Sequence, residues 1–274
     1  MLITNVGNNQ NSKRDALFFW RRTISLAMLP FLAISMLGCT PVAETSFRVA
    51  RRAIKENDIQ KLKQVLGAME IDDQVKEYDD FFEPTEGYTL LHFAVEENRL
   101  EMVNYLLESG ANPNLHMKYD QSTPLMLAIS LLPPDENAFQ IVSSLVKYGA
   151  DVNAIKEGGR RPLHLCRSDD YIKYCELLLL NGADVDAKAD TGSTPLHFAT
   201  YGKYKSIVAL LLQHGADASF KNDYGRSALD YATESGDAAL MKVLSGTSKN
   251  LNTDARKCGE AKGVRVRRDK TGFG

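Results

Sequence analysis

One short motif recurs along the chain at nearly constant spacing. Five copies read T-L-L-H-F-A, T-P-L-M-L-A, R-P-L-H-L-C, T-P-L-H-F-A and S-A-L-D-Y-A. Their first residues are separated by 34, 38, 33 and 33 positions and are Thr89, Thr123, Arg161, Thr194 and Ser227. A period of this length is typical of stacked supersecondary units. We therefore expect an array of stacked repeats.

A second motif, Gly-Ala followed by Asn or Asp, recurs in phase with the first, and its glycines are Gly110, Gly149, Gly182 and Gly215. A Thr before Pro predicts the capped start of a helix. The Thr hydroxyl accepts a hydrogen bond from a free backbone N–H of the first turn, and Pro fits the first helical position because it has no N–H to leave unbonded. A Gly predicts the end of the next helix, where the left-handed conformation suits it. Each repeat is thus expected to be a pair of helices that only its neighbours can bury.

Together the two motifs resemble those of the ankyrin repeat family, whose unit reads G-x-T-P-L-H-x-A, then an amphipathic second helix, then G-A-D-x-N. The resemblance covers residues 47–246, including a degenerate first unit around Ala53 and Leu62. It implies an all-α ankyrin repeat solenoid of about six helix-turn-helix units with β-turn fingers.

Two insertions interrupt the period. Repeat two carries five extra residues within 130–137, and Pro133-Pro134 either protrude as an elbow or lengthen the first helix. About eight residues precede the first full finger, in an acidic and aromatic stretch, residues 71–86. Its candidate partner-binding residues are Tyr78, Asp79, Asp80, Phe81 and Phe82. The alternative is that Phe81 and Phe82 cover the core of the first repeat.

The N-terminal region has the order of a secretory signal. An uncharged run over residues 23–37 follows Arg21-Arg22, and at 15 residues it is shorter than a spanning helix needs. Met36-Leu37-Gly38-Cys39 then resembles the lipobox of bacterial lipoproteins. The resemblance implies a signal peptide over residues 1–38, a lipid such as palmitate on Cys39, and a tether over residues 39–46. Thr40 after the Cys favours the outer membrane, facing the periplasm.

Charge is divided unevenly along the chain. The formal total of −2 combines +2 over residues 1–46, −9 over 47–246 and +5 over 247–274. The acidic body predicts a protein partner with a basic patch and argues against nucleic acid. The basic tail is predicted to be disordered; alternatively, it lies on anionic envelope phosphates or folds back on the body.

Catalytic and metal-binding motifs such as H-E-x-x-H, G-x-S-x-G, the P-loop and C-x-x-C do not occur, so we expect no catalytic residue, metal, cofactor or small-molecule substrate. His92, His164 and His197 recur at the repeat period, and the ankyrin resemblance implies that each bonds the backbone of its own turn. Cys166 and Cys175 fall in one helical pair, as buried thiols or as a disulfide in an oxidising compartment.

The ankyrin resemblance implies that fingertips and the inner helix face bind a partner. Besides the acidic insertion, the predicted binding residues are Tyr88, Met117, Tyr119, Glu157, Arg160, Tyr201, Tyr224 and Arg226. The layout is similar to that of envelope ankyrin lipoproteins that act as immunity proteins against toxins such as secreted phospholipases. We therefore expect a non-enzymatic, membrane-anchored inhibitor. The alternative is an envelope scaffold or stress-protection protein; lipidation at Cys39 argues against a secreted host effector.

Overall fold

The structure, a computed structural model, describes residues 46–67, 69–72 and 87–245. Contacts divide the chain between Glu44 and Thr45, and every described residue belongs to the second unit. Four predictions lie outside the described residues: the signal peptide, the lipid site at Cys39, the acidic and aromatic residues 78–82, and the basic tail over 247–274.

Helices follow one another in pairs through the described part of the chain. They are α1 (Ser46–Glu56), α2 (Ile59–Leu66), α3 (Leu90–Glu96), α4 (Leu100–Glu108), α5 (Pro124–Leu131), α6 (Glu136–Lys147), α7 (Ile172–Leu180), α8 (Pro195–Tyr201), α9 (Lys205–Gln213) and α10 (Ala228–Glu234). Two 3-10 helices, Pro162–Leu165 and Asp169–Tyr171, precede α7, and a further helical segment covers residues 238–245. Between residues 87 and 245 the only β pairing is an isolated bridge from Lys156 to Arg160. The all-α prediction is confirmed.

The sequence signals explain where these helices begin and end. Thr89 caps α3, because its Oγ1 accepts from the N–H of His92 at 3.4 Å. Pro124 and Pro195 occupy the first turns of α5 and α8, where a missing N–H leaves no bond unmade. Gly182, just after α7, has φ +85°, the left-handed conformation expected at a helix end.

Stacking of equivalent helices produces one continuous core. The first helices of successive pairs pack against each other, and so do the second helices. A column of fully buried leucines runs through the second helices: Leu106, Leu145, Leu178 and Leu211. Burying such a side chain contributes about 1.5–3 kcal/mol, and each repeat needs its neighbour to do so.

Asn side chains join consecutive repeats along the turns that follow the second helices. Asn114 donates from Nδ2 to the Gly149 carbonyl at 2.9 Å and accepts from the Asp151 N–H at 2.7 Å. Asn153 repeats both bonds one unit later, with Gly182 and Asp184. Asp186 occupies the next equivalent position and still accepts from the Asp217 N–H at 3.0 Å. A carboxylate has no N–H, so the bond to the following Gly carbonyl is lost there.

Repeat three departs from the others in its first helix. Arg161 offers no hydroxyl to cap it, and the helix is a four-residue 3-10 turn that ends at Cys166 in extended backbone. The loop that follows is tied to both neighbours. Arg167 donates from Nη2 to the Ser130 carbonyl at 2.8 Å, and Asp169 Oδ1 accepts from the Ser206 N–H at 2.9 Å.

The insertion in repeat two gives both an elbow and a longer helix. Pro133 and Pro134 are exposed, as the elbow alternative expected. The added helix length falls in the second helix, since α6 has 12 residues against nine in α4, α7 and α9. The alternative of a longer first helix accounts for one residue only, since α5 has eight residues against seven in α3 and α8. Leu132 then leaves α5 in extended backbone with its side chain buried.

Candidate binding surface

The first periodic histidine is a structural clamp. His92 accepts on Nδ1 from the Thr89 N–H at 3.2 Å, so its proton lies on Nε2 and donates to the Ser122 carbonyl at 3.4 Å. Desolvation by burial lowers its pKa to about 4. The ring is therefore neutral at pH 7 and ties its own turn to the next finger.

The other two histidines repeat this geometry. His164 accepts from the Arg161 N–H at 3.1 Å and reaches the Ala187 carbonyl at 3.0 Å, and burial lowers its pKa to about 4. His197 accepts from the N–H of its own turn and donates to the Arg226 carbonyl at 3.1 Å, and burial lowers its pKa as well. Each therefore bonds the backbone of its own turn, as the resemblance implied. Among the described residues, 46–67, 69–72 and 87–245, no group of His, Cys, Asp and Glu is arranged to hold a metal ion.

A partly buried ion pair fixes the second and third fingers to each other. Lys156 Nζ lies 2.8 Å from Asp120 Oδ2 and 2.9 Å from Ser122 Oγ. Burial alone would raise the pKa of Asp120, but the bonds from Lys156 and Ser122 outweigh it and lower that pKa. The carboxylate is thus ionised and occupied within the frame.

Most of the predicted finger residues are exposed. Tyr119, Tyr201 and Tyr224 have 67%, 76% and 71% of their surface accessible. Glu157, Arg160 and Arg226 are exposed as well.

Two of the predicted binding residues lie elsewhere. Met117 is only 7% exposed and belongs to the core, so its assignment to the binding surface is wrong. Its N–H donates to the Ser122 carbonyl at 3.0 Å, which closes the finger and leaves the side chain beneath it. Tyr88 is half-buried, with its ring 4.9 Å from that of Phe93.

Three aromatic side chains meet on the first helices near the other end of the array. We call Phe198, Tyr201 and Tyr231 the open aromatic cluster. Phe198 and Tyr201 are three residues apart in α8 and so share a face. Tyr231 of α10 approaches Tyr201 edge to face, with ring centres 5.8 Å apart. This is a favoured arrangement for aromatic pairs.

The cluster surrounds a pocket of about 200 Å³. Its lining is Ser193, His197, Phe198, Tyr201 and Tyr231. Because Tyr201 is 76% exposed, one wall of this pocket projects into solvent. The first helices of two consecutive repeats thus form an apolar recess beside the fingers.

Two guanidinium groups flank this recess. The Arg160 guanidinium lies 6.0 Å from the centre of the Phe198 ring, and that of Arg226 lies 5.5 Å from the centre of Tyr231. Arg226 also pairs with Glu234 at 2.7 Å. Cations over aromatic faces are held by the ring quadrupole, so both arginines are positioned at the edges of the cluster.

A buried amide holds the finger and the cluster together. Asn222, 5% exposed, donates from Nδ2 to Tyr231 Oη at 3.0 Å and to Ser193 Oγ at 3.2 Å. Its Oδ1 accepts from the N–H groups of Tyr224 and Arg226, both at 3.1 Å. Asn222 therefore supports the surface from below instead of forming part of it.

Comparisons with known proteins agree with this architecture. Three copies of the family model for ankyrin repeats match residues 51–156, 112–189 and 163–255. The chain belongs to the ankyrin repeat family. Ankyrin repeats generally form non-enzymatic scaffolds and point to a protein partner.

Similar proteins come from bacteria and animals. A putative ankyrin repeat protein of Rickettsia bellii is 28% identical over 49% of this chain and 41% of its own length. Ankyrin repeat and SOCS box protein 6 of mouse is 35% identical over 34% of this chain and 22% of its own length. ARF GTPase-activating protein Git of Drosophila melanogaster is 38% identical over 32% of this chain and 12% of its own length. The chain thus matches less than half of each relative.

Phe198 and Tyr231 were missed because they lie inside the ankyrin motif. Both fill the variable position of T-P-L-H-x-A, which lies outside the fingertip positions from which binding residues are predicted. An aromatic residue at that position in two consecutive repeats, followed by Tyr201 one turn later, is the signal that would have found them.

The predicted cysteine pair lies in the irregular ankyrin repeat three. The structure brings the sulfur atoms of Cys166 and Cys175 into contact, with their Cα atoms 6.6 Å apart. This separation falls in the range that a disulfide spans. Both side chains are buried, at 4% and 0% exposure. The disulfide remains a prediction, which the mass increase on alkylation with and without reductant will test.

The part of the chain that the structure describes contains no helix long and apolar enough to cross a membrane.

Proposed function

We propose that this protein is a lipid-anchored envelope protein that binds and inhibits a partner protein through the open aromatic cluster and the fingers beside it. The observation that carries the proposal is Tyr201, a large aromatic side chain left 76% exposed next to a recess of about 200 Å³. Tyr and Arg are the residue types most enriched among interface hot spots. Tyr201, Tyr224, Arg160 and Arg226 bring both types to one surface.

The membrane anchor is proposed from the sequence around Cys39. Tethering an inhibitor where its target arrives raises its effective concentration without a new contact. The finer role that fits this layout is immunity against an antibacterial toxin such as a secreted phospholipase. An envelope scaffold would bind its partner equally well but would leave the activity of that partner unchanged.

A crosslinking experiment tests the binding surface. A photo-crosslinking residue placed at Tyr201 is expected to join the chain to a discrete partner in its native envelope. The matched control is the same residue at Leu180, which is also 71% exposed but lies at the end of the second helix α7. Equal products at both positions, or none at Tyr201, would contradict the proposed surface.

Inhibition is tested with the captured partner. We expect its hydrolytic or toxic activity to fall when the purified chain is added in equimolar amount. Unchanged activity with retained binding would favour the scaffold instead.

The anchor is tested independently of the partner. A Cys39→Ala variant is expected to lose metabolic labelling by a palmitate analogue and to move from the membrane fraction to the soluble fraction. Cys258→Ala, which alters a cysteine of the tail, is the control and is expected to stay membrane-bound. Retention of Cys39→Ala in the membrane fraction would overturn the lipoprotein assignment.

A further inference from the structure

We infer that the open aromatic cluster accepts a bulky apolar side chain from a partner segment that also carries a carboxylate. This inference rests on the proposed binding function and specifies the chemistry of the partner. It differs from the expectation based on the acidic body as a whole, because the groups that lie over the rings of the recess are the guanidinium groups of Arg160 and Arg226.

The size of the recess favours a single side chain. Small-molecule and cofactor sites usually enclose about 300–1,000 Å³. A cavity of about 150 Å³ is enough for a benzene ring. The pocket of about 200 Å³ therefore suits one aromatic or large aliphatic side chain.

The lining of the recess is suited to such a group. Phe198, Tyr201 and Tyr231 present ring surfaces. Burial lowers the pKa of His197, and its Nδ1 accepts from the Thr194 N–H, so the ring is neutral. An aromatic guest can stack on these rings or meet them edge to face, which stabilises it beyond its area of contact.

Positive charge at the edge of the recess favours a carboxylate beside the apolar side chain of the partner segment. The guanidinium of exposed Arg160 lies over Phe198, and it forms no ion pair with any residue that the structure describes. At the other side Arg226 has one carboxylate partner, Glu234. A cation entering between them would meet two like charges, whereas a carboxylate can form a bidentate pair with Arg160.

The nearby fingertip acids do not reverse this preference. A Cβ added at Gly159 would clash with Asp190 Oδ1, and one added at Gly192 would clash with Asp223 Oδ1, so each carboxylate lies where the glycine leaves room for it. Both carboxylates are thus folded onto the preceding finger. Arg160 remains available at the edge of the recess.

Tyr231 supplies a hydrogen bond for the guest. Its Oη accepts from Asn222 Nδ2 at 3.0 Å, so the phenol keeps its own proton to donate. A carbonyl or carboxylate oxygen of the partner segment is the matching acceptor. The recess thus offers aromatic surface, a guanidinium group and a hydroxyl donor. A partner segment that carries both an apolar side chain and a carboxylate matches all three.

The test uses three labelled peptides of equal length with one central Phe, flanked by Glu, by Gln or by Lys. Fluorescence anisotropy with the whole chain is expected to show the Glu peptide binding about tenfold tighter than the Lys peptide, which corresponds to about 1.4 kcal/mol. Arg160→Lys is expected to keep this order, and Arg160→Glu to reverse it. Lys173→Glu makes the same charge change on the second helix α7 and is expected to leave the order unchanged.

Several results would overturn the inference. The Lys peptide binding tighter than the Glu peptide would reverse the assigned charge. An unchanged order in Arg160→Glu would remove Arg160 from the site. Absence of binding by all three peptides, with crosslinking at Tyr201 retained, would reject this chemistry and leave the proposed function standing. Absence of both would reject the surface itself.

Discussion

Two aromatic clusters in the described part of the chain are built from the same ingredients, and one of these two is open. At one end Phe93, in the variable position of the motif, packs against Phe47 and Tyr88 at 5.8 and 4.9 Å, with the Arg51 guanidinium 4.5 Å above its ring. At the other end Phe198 holds the same motif position beneath Arg160. Phe93 is 3% exposed, whereas Tyr201 beside Phe198 is 76% exposed.

The difference comes from what covers each cluster. Helix α1 lies against α3 and brings Phe47 and Arg51 over Phe93. Around Phe198 the neighbouring side chains line a recess instead of filling it. The same residue type at the same motif position therefore serves the core in one repeat and a surface in another.

Removing the Phe93 ring, which α1 covers, is expected to change stability more than any other substitution proposed for this comparison. We expect Phe93→Ala to lower the free energy of unfolding by about 3–5 kcal/mol, since it leaves a cavity in the core. Urea denaturation monitored by circular dichroism measures the change. A loss below about 1 kcal/mol would mean that the covered cluster does not support the fold.

Acid is expected to act on the covered cluster through His92. Its folded pKa of about 4 lies below the ordinary value of 6.5, so between these values the unfolded chain binds a proton that the folded chain does not. Stability is therefore complete above pH 6.5 and falls as the pH drops towards 4. The loss is about 3 kcal/mol for this group.

Urea denaturation at several pH values and the NMR titration of the His92 ring will check this. His92→Gln, which removes the titration, is expected to flatten the pH dependence by that amount. A His92 ring that titrates near 6.5 would contradict the burial argument.

Two glycines near the open aromatic cluster allow the cost of a left-handed backbone to be measured separately from the cost of a steric clash with the next finger. Gly192 and Gly225 have similar positive φ values, +68° and +71°. An added Cβ at Gly192 would lie 3.1 Å from the Asp223 backbone nitrogen, whereas at Gly225 it would meet nothing within 4 Å. We expect Gly225→Ala to cost about 1 kcal/mol from the left-handed backbone alone. Gly192→Ala is expected to cost about 1–3 kcal/mol more from overpacking.

Denaturation of the two Gly→Ala variants measures the difference. Equal losses would show that the fingers beside the open cluster are free to separate.

Asp186 marks the place where the Asn contacts between repeats weaken on the side of the open cluster. Burial raises the pKa of Asp186 most, and the nearby charges of Asp217 and Asp184 raise it further. The hydrogen bond from the Asp217 N–H lowers it by less, so the pKa is raised overall. We expect Asp186→Asn to stabilise the chain at pH 7 by about 1 kcal/mol, because it restores a donor and removes repulsion. Asp190→Asn, at an exposed fingertip, is the control with little expected change. A less stable Asp186→Asn variant would contradict this reading.

The fold could be predicted from sequence because each signal acts locally. Thr89 caps its helix, Pro195 begins one and Gly182 ends one within a few residues, and the 33-residue period then dictates stacking. The 3-10 turn of repeat three was not foreseen, although the Arg161 and Cys166 substitutions mark it.

The binding surface was predictable only in part. Exposed Tyr224 and Arg226 follow from the finger positions, which extend from the frame in every repeat, and exposed Tyr201 follows from its place on the inner helix face beside the fingers. Met117 was misplaced because whether a finger residue points outward depends on how its turn closes. Phe198 was overlooked because coverage by a neighbouring helix, which distinguishes it from Phe93, is a property of tertiary packing.

Tyr201→Ala tests most directly whether the open cluster is a binding surface and not part of the core. The free energy of unfolding of the variant is expected to lie within about 0.5 kcal/mol of that of the unmodified chain, as is usual for substitutions at exposed sites. In quantitative capture from cells that produce the protein, it should recover about tenfold less partner than the unmodified chain, or than a Leu180→Ala control. Equal recovery by Tyr201→Ala, with its stability intact, would contradict the central claim.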